Sequence, residues 1–582
     1  MEEGPAASTC TQSAPPRAAL KVRLGSLPRF ELANAEPKSQ RITLCDLGLL
    51  LLLLLLAGSV RFWLIARTEV AARDGIGFVR YALQLESQPW SQVLRDSQQH
   101  PGYPFLLMLV SWPVRYFSGV TDCVSMQLSA QLTSGLAGLL LVIPMYFLGR
   151  ELFDRKAGFW GAALFQCLPV SSRVMSDALS EATFLLFCAM ALLLAVRAMR
   201  TRSVLGFLAC GMCGGFAYLT RPEGALVVAA TGLVLLGIQA NRLWRWPGRH
   251  LLACGVSLAL GALLMGGPYV LVTGSLTNKP TPRAMMRRAQ AVRSGEESNP
   301  PALAPEPSRP QSALMRGPIL ASILAVYAPE GAQDRRWWAL QAIGTEVARG
   351  YLYVIGIPVL VGMWWFRGRM HEVPGAWVLL VLCLLQALVL WRLAVVVGYV
   401  ADRHVLLLVL CGVFTAAAAT SNIGMWLGAL VGRIALGSKG STWQSATFAS
   451  CLSVLLLIGQ TGFGLPESLK PLHANRAGHR AAGEWLAKNS IPADPIEDPF
   501  CWAHFYANRV FWEGKTPPAP PGYKPTQYVV IEHSEHDHTR LPTMERALRL
   551  AAQGHAVYHW PTNKSEEDSK VLVYAIPPQN PR

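Results

Sequence analysis

Residues Tyr103 to Ser118 read YPFLLMLVSWPVRYFS, and whether they cross a bilayer decides the orientation of every apolar segment that follows. A crossing needs roughly 20 apolar residues to span a hydrocarbon core of about 30 Å. This stretch has 16 residues and is interrupted by Pro113 and Arg115. It therefore reads as an interfacial or re-entrant segment. Outward from it, apolar runs at 42–66, 126–149, 157–175, 179–199, 204–220, 224–240, 250–273, 348–366, 374–397, 404–420 and 442–464 give 11 crossings. With 103–118 left out of the count, Arg150, Arg155 and Lys156, then Arg197, Arg200 and Arg202, then Arg242, Arg245 and Arg249 all face the cytoplasm. Arg367, Arg369, Arg433 and Lys439 follow the same side. That is the positive-inside distribution, and counting the stretch as a crossing would invert it.

Composition agrees with this reading. Of 582 residues 52% are hydrophobic and 15% charged, and the mean hydropathy is +0.30, which places the chain among multi-span membrane proteins. The net charge of +16 does not indicate nucleic acid, because many of the basic residues flank apolar runs. Most of the twelve cysteines, among them Cys167, Cys188, Cys254, Cys383, Cys411 and Cys451, lie inside apolar runs and read as small hydrophobes rather than a disulfide framework. Cys210 and Cys213 have zinc or redox spacing, but without a second ligand pair they read as a plain helix face.

Three regions follow. Residues 1–41 are rich in Pro, Ala and Ser and read as a disordered cytoplasmic tail. Residues 42–464 form the transmembrane domain, opened by a signal anchor with eight consecutive leucines, Leu49 to Leu56. It carries extracytoplasmic loops at 67–125 and 274–347. The second loop is basic, with Lys279, Arg283, Arg287 and Arg288 near its start, and either clamps an anionic lipid headgroup or is a solvated linker. Residues 465–582 alternate helix and strand (476–488 helix, 528–532 strand, 543–553 helix, strands at 556–560 and 571–576) and predict a small extracytoplasmic α/β domain. The expected fold class is thus a polytopic all-α membrane protein with a soluble α/β tail.

The stretch after the first crossing, RDGIGFVRYALQLESQPWSQVLRDSQQHPGYP from Arg73 to Pro104, frames a site at the membrane surface. Asp74 stands just past the crossing, and His100-Pro101-Gly102-Tyr103-Pro104 turns the chain back. Between them Phe78, Tyr81, Ala82 and Leu85 recur at helical spacing. Asp177, Arg221-Pro222-Glu223-Gly224 and Asp402-Arg403-His404 also fall at outer ends of crossings. Singly, each reads as a helix-end cap. Gathered on one side, ionisable groups at membrane depth point to a functional cavity.

These motifs, in this order over roughly residues 43–420, resemble the GT-C glycosyltransferases. Within them the pattern is similar to the dolichyl-phosphate-mannose protein mannosyltransferases and lipid A aminoarabinose transferases of glycosyltransferase family 39. The carrying residues are Asp74, the turn His100 to Pro104, Leu148-Gly149-Arg150-Glu151-Leu152-Phe153, Asp177, Leu219 to Gly224, and Arg403-His404. Two positions depart from the pattern: Gly75 stands where the mannosyltransferase signature has Glu, and Pro101-Gly102 replaces Pro-Pro. The α/β tail, in place of the β-trefoil of eukaryotic members, implies a bacterial inner-membrane protein.

The resemblance implies an inverting transfer of a sugar from a polyprenyl-phosphate donor to an extracytoplasmic hydroxyl on protein, lipid or polysaccharide. Such a reaction needs a carboxylate base and cations for the departing phosphate. Asp74 is the expected base and Asp177 a second carboxylate that orients hydroxyls. His100, Tyr103, Arg221, Glu223, Arg403 and His404 are the expected donor and substrate contacts. No cofactor is required, and a divalent metal is left open. A polyprenyl-linked sugar translocator or a non-catalytic membrane scaffold would use similar features without a base at Asp74. His533 to His538 has the look of a metal tract but follows a predicted strand as a polar turn, and Asn563-Lys564-Ser565 is a glycosylation sequon that matters only in a secretory host.

Overall fold

The computed structural model describes residues 42–240, 246–279, 326–327, 335–368, 373–436, 442–533 and 542–577. The tail 1–41, the centre of the 274–347 segment and residues 534–538 of the histidine tract lie outside the described residues. The chain divides into a short unit, 1–47, and a large one, 48–582. In the first, the Asp46 carboxylate accepts from the Thr43 amide and hydroxyl, both at 2.8 Å, closing the first turn of α1, Leu44–Ala66.

The large unit begins as a helical bundle. α2 (Arg73–Ser87), α3 (Trp90–Asp96) and α4 (Gly102–Ser118) precede α5 (Cys123–Leu140) and α6 (Val142–Leu152). Then come α7 (Arg155–Cys167), α8 (Pro169–Val174), α9 (Glu181–Thr201), α10 (Val204–Thr220), α11 (Ala225–Ala240) and α12 (Gly248–Thr273). Asp122, Asp154 and Ser203 cap α5, α7 and α10 by accepting from amides three residues on, which is where the sequence changes from polar to apolar. Further helices at Gly356–Trp365, Pro374–Val397, Leu406–Leu436 and Thr442–Gly462 complete the bundle. Among the described residues seven helices are long and apolar enough to cross a membrane and three more are shorter. With α7 they occupy all the apolar runs of the sequence, and the chain is a multi-pass membrane protein.

Three expected crossings differ in detail. The run 157–175 is two helices, α7 and α8, parted at Leu168, whose extended backbone precedes Pro169. The run 348–366 is not one helix: an amphipathic helix, Arg335–Gly350, ends in a turn, and Gly356–Trp365 resumes after it. Leu352 and Tyr353 take left-handed backbone there (φ 51° and 59°), and the Tyr351 hydroxyl donates to the carbonyls of Leu408 and Val409, both at 3.1 Å, pinning the break. The run 404–420 instead extends to Leu436. Its polar continuation is shared with the next helix, Ser421 and Ser453 hydroxyls meeting at 3.2 Å.

The short strands β1 (Val326–Tyr327) and β2 (Tyr399–Val400) pair antiparallel just before Asp402. The tail forms a four-stranded sheet of order β3-β4-β6-β5, from β3 (Ile496–Glu497), β4 (Gln527–Glu532), β5 (His555–Trp560) and β6 (Val571–Ile576). β3 is parallel to β4, and the other pairs are antiparallel. β4 is apolar at consecutive positions because both its faces are covered. Tyr528 and Val530 pack with Ala482 and Leu486 of the helix Ala477–Asn489, while Val529 and Ile531 pack with Ala547 and Ala551 of the helix Pro542–Ala551.

The C-terminal segment seats on the connection between α1 and α2. The Glu69 amide donates to Leu472 O at 3.2 Å, the Ala71 amide to the Tyr506 hydroxyl at 3.0 Å, and the Trp502 indole to Ala71 O at 2.8 Å. The Cys123 amide at the start of α5 donates to Asn508 Oδ1 at 2.9 Å.

Candidate functional site

Helix ends converge beside this docking surface. The first turn of α2 supplies Asp74, the first turn of α9 supplies Glu181, and the connection from α10 to α11 supplies Arg221 and Glu223. The turn Asp402–Val405 ahead of the helix Leu406–Leu436 supplies Arg403 and His404. Arg403 Nη1 lies 2.7 Å from Asp74 Oδ2, and its Nε lies 3.8 Å from Glu181 Oε1. Arg221 bridges Glu181 and Glu223, at 2.5 Å and 3.5 Å. Glu181 is thus shared between two guanidiniums, and the group forms one alternating network rather than isolated caps.

The network borders a pocket with a wall partly polar and partly apolar. Glu181, Arg221, Glu223, Gln386, Arg403 and His404 give the polar part, and Phe184, Leu185, Leu390, Leu393 and Leu407 the apolar part. Glu223 Oε2 and Arg403 Nε are buried and make no hydrogen bond within the protein. Groups so placed are costly unless a ligand engages them. The His404 ring accepts from the Ala401 amide through Nδ1 at 3.3 Å, which leaves Nε2 as the protonated nitrogen of the neutral ring.

Lys279, in the turn after α12, adds a third cation. Its ammonium interacts with Glu223, Arg221, Glu181 and Arg403; burial first, then the two guanidiniums, press its pKa below the ordinary lysine range against the pull of the carboxylates. Burial likewise opposes ionisation of Asp74, but Arg403 outweighs it through charge and hydrogen bond, with Arg73 and Arg221 assisting, and holds the carboxyl below its usual value. Asp74 is therefore a carboxylate at neutral pH.

The remaining expected residues lie nearby but are engaged differently. His100 is buried between Tyr218 and Tyr269, with ring centroids at 5.2 and 5.1 Å, and its Nε2 is 3.1 Å from Thr277 Oγ1. Burial, reinforced by Lys279, pushes its pKa to about 4, so the ring is neutral. It secures the segment that carries Lys279. The Tyr103 hydroxyl is fully buried and donates to Ala130 O at 2.9 Å, tying α4 to α5. Asp177 uses Oδ1 to accept from the amides of Ala72 and Ala178, at 3.0 and 2.8 Å, and Oδ2 to meet His473 Nε2 at 2.7 Å. It holds the backbone two residues ahead of Asp74.

The two departures from the family pattern have steric causes. A Cβ at Gly75 would lie 2.6 Å from Ala178 Cβ and 2.7 Å from its carbonyl oxygen, so the Asp177 loop admits only glycine beside Asp74. A Cβ at Gly102 would lie 2.8 Å from Leu219 O, where α4 starts against the end of α10. Glu181 and Gln386 stand here with no role expected from sequence, and Lys279 only as part of a basic loop read as either a headgroup clamp or a linker. Glu181 sits in the first turn of a crossing, where acid reads as dipole compensation. Lys279 is one of many basic residues in its segment. Gln386 lies mid-helix without any local signal. Among the described residues no three His, Cys, Asp or Glu side chains are grouped to hold a metal ion.

Residues 100–265 match the family model described as dolichyl-phosphate-mannose-protein mannosyltransferase. No curated protein sequence matches the chain. Among solved structures it is similar to ArnT from Cupriavidus metallidurans bound to undecaprenyl phosphate, at a TM-score of 0.53 and 14% identity over 91% of this chain and 99% of that one. It is also similar to the apo oligosaccharyltransferase of Archaeoglobus fulgidus, at a TM-score of 0.50 and 14% identity over 80% of this chain, and spans 64% of that protein's length. The fold is that of the GT-C membrane glycosyltransferases.

Proposed function

We propose that the chain is an inverting glycosyltransferase that moves a sugar from a polyprenyl-phosphate donor to an acceptor hydroxyl at the extracytoplasmic face of the membrane. The observation that carries this reading is the pocket itself. Arg221 and Arg403 line it beside apolar Phe184, Leu185 and Leu390, Arg403 pairs with the Asp74 carboxylate, and Lys279 adds its charge to the same network. A phosphate joined to a long hydrocarbon has the same division, and arginine and lysine are the residues that neutralise phosphate. ArnT of the same fold was solved with undecaprenyl phosphate, and the family model matched by residues 100–265 bears the name of a polyprenyl-linked sugar donor.

The chemistry runs as a single displacement. The donor phosphate engages Arg403 and Arg221, and in competing for Arg403 it loosens the ion pair that holds Asp74. Relieved of that pair, a buried carboxylate becomes more basic. Asp74 accepts the proton of the acceptor hydroxyl as its oxygen attacks the anomeric carbon, and the bond from that carbon to the phosphate oxygen breaks. The electron pair leaves with the polyprenyl phosphate, held by the arginines, and the anomeric configuration inverts.

The test uses the full chain in proteoliposomes with labelled polyprenyl-phosphate mannose, glucose and arabinose, and membrane protein and lipid fractions as acceptors. Transfer that Asp74→Asn abolishes while lipid binding persists supports the reading. Transfer at the wild-type rate by Asp74→Asn overturns the base assignment, and lipid crossing the bilayer without sugar release would make the chain a translocator.

A further inference from the structure

The segment ahead of Asp74 is buried yet neither helix nor strand. Val70, Ala71 and Ala72 are 0%, 2% and 7% exposed. Backbone groups so placed must find partners, and here they find them far along the chain. The Ala71 amide donates to the Tyr506 hydroxyl and its carbonyl accepts from the Trp502 indole, so both polar groups of one residue are held by one short helix more than 430 positions away. The Tyr506 hydroxyl in turn donates a hydrogen bond to Gln127 Oε1 at 2.6 Å, which fixes it against α5. The next amide, that of Ala72, is held by Asp177, itself braced by His473 of the C-terminal segment.

We infer that the C-terminal domain is part of the catalytic apparatus, with Tyr506 and Trp502 as positioning residues that set the place of the Asp74 carboxylate. The inference rests on the reading of Asp74 as base, and it follows from a conflict in the pocket. Arg403 is the side chain that fixes Asp74 in the free protein, and it is also a ligand for the donor phosphate. Once phosphate takes the arginine, the carboxylate must be aimed by its backbone alone, at the moment when its direction matters most. Displacing a reacting group by about 1 Å costs on the order of a hundredfold in rate. The Ala71 clamp, together with the Asp177 carboxylate on the Ala72 amide, opposes such a shift.

The experiment compares Tyr506→Phe and Trp502→Phe with wild type, alone and combined with Asp74→Asn, in the full chain with whichever labelled donor turns over. Each variant keeps an aromatic ring: Tyr506→Phe removes the hydroxyl that accepts from the Ala71 amide and donates to Gln127, Trp502→Phe removes the indole N–H that donates to Ala71 O, and thermal melting of the purified proteins checks that folding is intact. Expected are kcat losses of about ten- to a hundredfold with donor KM unchanged, and, in the Asp74→Asn background, a further loss under twofold, because a missing base has nothing left to aim. Wild-type kcat in both single variants, or losses that multiply fully with that of Asp74→Asn, would overturn the inference while leaving the base assignment standing. Wild-type turnover by Asp74→Asn overturns both. Should Tyr506→Phe not yield folded protein, Trp502→Phe makes the same comparison.

Discussion

Two charged clusters flank the turn Asp402–Val405, and they are balanced in opposite ways. Towards the pocket, Arg403 with Arg221 and Lys279 meets Asp74, Glu181 and Glu223, and each carboxylate has a cation at hand. On the other side, the helix Arg335–Gly350 brings Glu346 towards Asp402. One Glu346 oxygen accepts from Arg349 at 2.9 Å, while Oε2 is buried without a hydrogen bond. Burial, opposed by Arg349 and reinforced by Asp402, pushes Glu346 up to about 7, whereas Asp74 is held below its usual value. Two acids separated by a single turn of chain are thus tuned apart by the cations each can reach. Under the proposed function the first side engages substrate, and the second, where Glu346 pairs with Arg349 but faces Asp402, supports it.

The comparison breaks most sharply at Asp74. Asp74→Asn should lower transfer by about 10²- to 10⁴-fold, the range for a lost general base, with donor binding retained; single-turnover transfer and donor-binding assays measure both. Arg403→Leu comes next. Donor KM should rise more than tenfold, and the acid limb of the residual kcat/KM profile should move to higher pH. The sign follows from the environment: Asp74 must be ionised to act, Arg403 keeps it ionised down to a pH below the ordinary value, and without that cation burial raises the carboxyl. An unmoved acid limb would detach the limb from Asp74. Lys279→Met should raise donor KM by a smaller factor of roughly three- to tenfold, since it adds charge to a phosphate already held by two arginines.

Glu346→Gln tests the other side and should change kcat less than twofold. Its effect is on stability. A carboxyl raised from the ordinary 4.5 to about 7 imposes no penalty on folding below the lower value, a growing one as pH rises between the two, and its full penalty above the upper. The glutamine variant should therefore melt higher than wild type at pH 8 and with little difference at pH 4.5, read by thermal unfolding in detergent. A large loss of transfer in this variant would erase the distinction between the clusters.

Much of this organisation is written locally in the chain. The crossings follow from apolar length, and the tail's strands and helices from short-range pattern, because burial acts on each segment through its own residues. Asp74, Arg221 and Arg403 were legible for the same reason, as charges standing at the ends of apolar runs. Glu181 was not, because one carboxylate in a first helical turn looks alike whether it compensates a dipole or bridges two arginines. The break at Tyr351 was hidden for a related reason: the residues that pin it, Leu408 and Val409, offer carbonyls that leave no mark in side-chain sequence. The seat of the C-terminal domain is the extreme case, since nothing near Ala71 announces Tyr506 or Trp502.

That last contact also orders events during synthesis. Ala71 and Tyr506 are 435 positions apart, and ribosomes add about 5–20 residues per second. For roughly 20 to 90 s the nascent chain carries Asp74 in the membrane without the partners that hold the adjoining backbone. With the clamp acting as inferred, alignment of the carboxylate waits until residue 506 has been made, so a product released before that point would lack it.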